Sequence, residues 1–112
     1  MILSKSNCER IRELNDGFRK SFVGGRVVVT DGVDALSADV KAEVLQQVRQ
    51  FDRFDSDNDP HGEHDFGNFE IAGERFFFKI DYYDLAMEGG SEDPANPAKT
   101  TRVLTIMLAS EY

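Results

Sequence analysis

A chain of 112 residues is the length of one ordinary domain, enough to bury roughly two-thirds of its unfolded surface and hold a core without covalent staples. Hydrophobic residues make up 40% and aromatics 11%, with nine Phe, a composition that excludes the disordered class. The formal net charge of −8 argues against direct binding to nucleic acid.

Ser6-Asn7-Cys8-Glu9 fits a capping box and starts a helix. Ile11, Leu14, Phe18 and Phe22 follow at helical spacing as one apolar stripe, and Gly24-Gly25 ends it. Arg26 to Thr30 is a β-branched run that reads as a buried strand, and Asp31-Gly32 as a turn. Ser37 caps a second helix, with Val40, Val44, Val48 and Phe51 along one face and Leu45 widening it.

After Phe51 the pattern gives way to a polar loop, Asp52 to Gly62. Asp65 to Ile71 reads as a strand bulged at Gly67, and Ala72-Gly73 as a tight hairpin. Glu74 to Tyr83 is the clearest strand. Phe76, Phe78, Ile80 and Tyr82 face one side, and Arg75, Phe77, Lys79, Asp81 and Tyr83 the other. Leu85 to Thr100 is a long loop with Gly89-Gly90, Pro94 and Pro97. Arg102 to Ala109 is a last strand, apolar on both faces and therefore central or covered by a partner.

The order α-β-α-β-β-β implies a single α+β domain over residues 1–112. Its antiparallel sheet has three to four strands, with two helices packed on one face. The place of the first strand in that sheet is open.

Cys8 is the only cysteine, so no intramolecular disulfide can form, and no neighbour that would activate its thiol is evident. No stretch has the pattern of a signal peptide, and the apolar run Ile106 to Ala109 is too short to cross a bilayer. A cytoplasmic location without membrane association is the expectation. Oligomeric state is open.

Charge is unevenly distributed. Residues 1–50 carry eight Lys/Arg against seven acids, whereas residues 51–112 carry five against fourteen. The second half therefore holds a net −9, a field that attracts basic protein surfaces or cations.

If Ile71 pairs with Glu74, His64 lies opposite Asp81 and Asp65 opposite Ile80. The loop entering the hairpin, the loop leaving it and the start of the last strand then share one end of the sheet. His61, Glu63, His64, Asp65, Asp81, Asp84 and Arg102 are expected to gather there.

Three chemistries fit such a cluster. Asp57-Asn58-Asp59-Pro60-His61-Gly62 begins like a calcium loop, but His61 stands where a third acid belongs and Asn68 where the bidentate Glu belongs. Starting instead at Asp55 puts Pro60 in place of the Gly and Phe66 in place of the Glu. A transition metal could use His61, His64, Asp65 and Asp81, good ligand types at a spacing that matches no zinc signature. The bland alternative is structural, with acids capping turns and Arg102 or Lys79 neutralising them. No Ser-His-Asp or Cys-His arrangement and no phosphate loop is present, so no catalytic residue and no cofactor beyond that divalent metal is assigned.

Three stretches carry a resemblance: Asp57 to Gly67, Phe76 to Asp84 and Thr100 to Tyr112. From about Cys8 to Tyr112 the chain resembles the bacterial family catalogued as domain of unknown function 3768. The resemblance implies a bacterial origin, often on plasmids or other mobile elements, and carries no activity, cofactor or catalytic residue. By analogy with mobile-element proteins, an acidic factor of anti-CRISPR or antirestriction type is one expectation.

Taken together, the residues point to a small acidic non-enzymatic binding protein whose partner has a basic protein surface. Asp55, Asp57, Asp59, Glu63, Asp65, Asp81 and Asp84 are its candidate contacts. Asp55, Asp57, Asp59 and Glu63 are expected to be dispensable for folding, because they lie in a loop. The second expectation is a metal-binding protein or metal-dependent enzyme built on His61, His64, Asp65 and Asp81.

Overall fold

The computed structural model describes residues 6–112. Helix α1 (Asn7–Ser21) starts where the cap places it, with Ser6 Oγ accepting the Glu9 N–H at 3.2 Å. It stops before the glycines. Phe22 turns left-handed at φ 60° and donates its N–H to Phe18 O at 2.7 Å, closing the last turn.

Strand β1 (Arg26–Val29) follows. Asp31-Gly32 does not form a simple turn but opens a four-residue helix, α2 (Asp31–Asp34), which drives Val33 fully into the core. Helix α3 (Ala38–Gln50) is capped by Ser37, whose Oγ accepts the Val40 N–H at 3.3 Å. Strands β2 (Phe66–Ile71) and β3 (Glu74–Tyr83) form the expected hairpin, with Ala72 and Gly73 both at positive φ. A 3₁₀ turn, Pro97–Lys99, precedes β4 (Thr101–Leu108), and a second one, Ala109–Glu111, follows it.

The fold is α+β, with strand order β1-β4-β3-β2. The hairpin and the β3–β4 pair are antiparallel, whereas β1 lies parallel to β4, so the sheet is mixed. A four-residue strand whose partner lies at the far end of the chain shows nothing locally about its direction. Strand β4 is central, as its two apolar faces require: Leu104 and Ile106 are fully buried on one side and Met107 nearly so on the other.

The core forms where Phe18, Val33, Val44, Val48 and Phe51 meet Phe76, Phe78, Ile80, Leu104 and Ile106. The period of two in β3 decides which of its residues enter.

Gly67 does not make a bulge, since pairing runs unbroken from Phe66–Lys79 to Ile71–Glu74. It is needed for space: a methyl at that position would overlap the Phe78 ring and stand 2.8 Å from Phe51 Cε1. Gly67→Ala is therefore expected to cost about 1–3 kcal/mol by overpacking. Urea unfolding measures the loss, and an unchanged midpoint would contradict this packing.

Candidate functional site: an acidic loop clamped to the first helix

Helix α1 buries Ile11, Asn15, Phe18 and Arg19, so two polar residues share its inner face with the apolar stripe. These two, with Asp16 beside them, organise the end of the sheet. Asn15 is fully buried, and its Nδ2 donates to Tyr82 Oη at 2.7 Å and to Glu63 O at 2.9 Å. Tyr82 Oη in turn donates to Glu63 Oε1 at 2.7 Å. Burial, reinforced by that bond to a carboxylate, raises the Tyr82 pKa well above the phenol range. Arg102 Nε donates to Asn15 Oδ1 at 2.8 Å, which ties β4 to the same network.

Asp16 lies one residue on and faces the loop. Its Oδ1 and Oδ2 stand 2.9 and 3.1 Å from His64 Nδ1. A carboxylate only accepts, so Nδ1 carries the proton in this contact. On its other side, His64 Nε2 is 3.6 Å from Asp59 Oδ2, and the His64 backbone N–H donates to Asp59 Oδ1 at 3.1 Å. The ring also stacks on Phe54 at 3.9 Å, the two planes nearly parallel.

A cleft of about 310 Å³ opens beside this group, with Arg19, Lys20, Arg49, Phe54 and His64 in its walls. A general base needs a ring nitrogen directed at substrate. Both nitrogens of His64 face carboxylates instead, so it acts as a clamp between α1 and the loop.

The sequence places seven residues at this end of the sheet, and the structure divides them. Glu63, His64 and Arg102 reach the helix side, joined through Asn15, Asp16 and Tyr82. Asp65 continues the strand register, its carbonyl accepting the Ile80 N–H at 2.8 Å, and burial raises its carboxyl pKa. Asp81 does not meet His64. Alternation along β3 sends it to the opposite face of the sheet, where it pairs with Lys79 at 2.8 Å. His64 leaves the strand in a left-handed conformation, φ 56°, which turns it towards α1. Asp84 lies in the loop after β3, its Oδ1 accepting the Glu88 N–H at 3.0 Å. His61 is exposed, and its carbonyl accepts the Cys8 thiol proton at 2.8 Å.

His61, His64, Asp65 and Asp81 therefore do not converge as one ligand set, because Asp81 and His64 lie on different faces of the sheet. Among the described residues no group of three His, Cys, Asp or Glu side chains is arranged to hold a metal.

The loop acids also divide. Asp55 Oδ1 accepts the N–H groups of Asp57 and Asn58 at 2.9 and 3.0 Å, while Asn58 ties back to Asp55 N and Arg53 O. Asp52, Asp55 and Asp57 are exposed, but Asp59 is buried and bonded to His64. Asp59 and Glu63 thus hold the structure together, contrary to the expectation that the fold is indifferent to them.

Asn15, Asp16 and Arg19 escape a sequence reading that follows only the apolar stripe. The available signal is Asn15 and Arg19, four residues apart in line with Ile11, as polar groups on an inward helix row.

Among the described residues no helix is long and apolar enough to cross a membrane. No curated protein and no solved structure matches the chain. Residues 29–111, from the end of β1 through β4, match the family described as a protein of unknown function (DUF3768). The chain belongs to that family.

Proposed function

We propose that this protein is a small non-enzymatic binding module whose acidic loop engages a basic surface on a protein partner. The supporting observation is that Asp52, Asp55 and Asp57 are exposed on a loop whose backbone is already fixed. Asp55 and Asn58 bond each other's main chain, and the Asp59 N–H donates to Asp55 O at 2.8 Å. Charges on a preordered loop bind with little further ordering cost, and their field speeds encounter with a basic surface. Between residues 52 and 65 the sequence sets six acids against one base, Arg53. The carboxylates of Asp59, Glu63, Asp81 and Asp84 add to that field from internally bonded positions, and that of Asp65 from a half-buried one.

Carboxylates fixed in this way can stand in for nucleic-acid phosphates. An anti-CRISPR or antirestriction factor of a bacterial mobile element, acting in the cytoplasm, would use them so. Charge supports this part, since a fold does not specify function.

The test compares capture from cell extract by the tethered wild type and by Asp52→Asn/Asp55→Asn/Asp57→Asn. Asn at 55 keeps an acceptor for the Asp57 and Asn58 N–H groups, so both proteins should melt alike. A basic protein retained by the wild type and lost by the variant is the expected result. Equal retention by both would contradict the proposal.

A further inference from the structure

All three helices pack on one side of the sheet, since Phe18, Val33 and Val44 share a core with Phe76, Phe78, Leu104 and Ile106. Alternation sends the intervening strand residues to the other side. Phe66, Phe77, Tyr83, Val103 and Met107 lie there, outside that core, with Val28 of β1 beside them and 46% exposed. Tyr112, 76% exposed, leans edge-on against Phe66 and Phe77 at 6.3 and 5.4 Å. No helix among the described residues covers this face. A sheet face left to water is normally polar, whereas aromatic rings run along this one.

Its charges are balanced. Arg26, Arg75 and Lys79 stand against Glu70 and Asp81, in a chain of net charge −8. Two acidic molecules can therefore approach each other here with little repulsion. Lys79 and Asp81 form an ion pair at 2.8 Å, each over a third exposed. A two-fold axis lying across the strands at Ile80 sets Lys79 of one copy opposite Asp81 of the other, and the reverse. Because Ile80 pairs with Leu104, the same axis sets Val103 opposite Thr105 and Phe77 opposite Tyr83. Sheets packed face to face in this way cross at about 30°.

We propose that this face is the interface of a homodimer, two sheets packed face to face with reciprocal Lys79–Asp81 contacts fixing their register. Strand spacing of about 4.8 Å and a rise of about 3.3 Å give the four strands roughly 450 Å² in projection. Side-chain relief adds to this, so two copies bury on the order of 1,000 Å², the lower bound for a specific interface. The acidic loop is clamped to the helix layer and stays accessible in such a dimer, which does not depend on the function proposed for that loop.

Sedimentation equilibrium of the full chain tests the interface. The weight-average mass should rise from 12.6 kDa towards twice that between about 10 μM and about 1 mM, the range of a weak dimer. Lys79→Asp and Asp81→Lys each set like charges across the interface and should weaken the dimer at least about tenfold. Both should melt close to the wild type when dilute, because the pair they break is solvent-exposed. An equimolar mixture of the two should regain the dimer, as should Lys79→Asp/Asp81→Lys, since each restores opposite signs across the axis. A mass of one chain throughout that range, self-association unmoved by the single substitutions, or no rescue in the mixture would overturn the proposal.

Discussion

Phe78→Ala is expected to lower the unfolding free energy by about 3–5 kcal/mol, the range for large aromatic truncations in cores. Phe78 is fully buried in the middle of β3, paired with Gly67 on one side and Ile106 on the other. Its ring meets Phe51 edge-on at 5.2 Å and Phe54 at 6.4 Å. Removing it takes away the surface on which the end of α3 and the start of the acidic loop both rest. The glycine opposite supplies no side chain to fill the space, so the cavity can close only by moving packed neighbours such as Phe51, Phe54 and Arg19. Urea unfolding is the measurement, and a loss below about 1 kcal/mol would be inconsistent with this packing.

Arg19→Met is expected to cost a similar amount, about 3–5 kcal/mol, for a different reason. Arg19 is 1% exposed, and its Nη1 donates to Val48 O and Arg49 O at 3.0 and 3.3 Å. It thereby supplies donors to carbonyls in the last turn of α3, where Val48 O otherwise accepts only the long bond from the Phe51 N–H at 3.4 Å. Its Nη2 also pairs with Asp16 Oδ1 at 3.1 Å. Met preserves the packing of the stem but removes all three bonds, leaving Asp16 to His64 alone. Besides the stability loss, backbone amides from residue 54 to 64 should exchange faster, because Asp16 anchors the clamp on that loop. Full retention of stability would show that the guanidinium is not the link between the two helices. Arg19→Lys should fall between, since one ammonium cannot span the same acceptors.

The hairpin was the most legible part of the fold. Alternation through Phe76, Phe78 and Ile80, with Ala72-Gly73 between two strands, fixes both register and face. The helix starts were legible too, because Ser6 and Ser37 cap by local chemistry. The parallel seat of β1 was not, since that pairing depends on a strand most of the chain away. Helix α2 was hidden because Asp31-Gly32 is equally good turn chemistry, and only the burial of Val33 favours the helix. Gly67 was misread because a glycine in a strand signals either a bulge or close approach, and only the neighbouring Phe78 and Phe51 rings distinguish them.

In the site, strand register correctly places Asp65 beside Ile80, but it carries His64 onward as if the strand continued. A left-handed residue there ends the extrapolation and hands the imidazole to α1. The acids were visible as a group. Which of them face solvent and which hold the loop became clear only from their hydrogen bonds.

The most direct test of the acidic-loop account is the association rate of the captured basic partner as a function of salt. From about 10 mM to about 1 M salt the screening length falls from about 30 to about 3 Å. Over that range association with the wild type should slow at least tenfold, roughly the scale of electrostatic steering. Asp52→Asn/Asp55→Asn/Asp57→Asn should start slower and show a shallower dependence, with dissociation changed little. An association rate indifferent both to salt and to the three neutral substitutions would contradict the account.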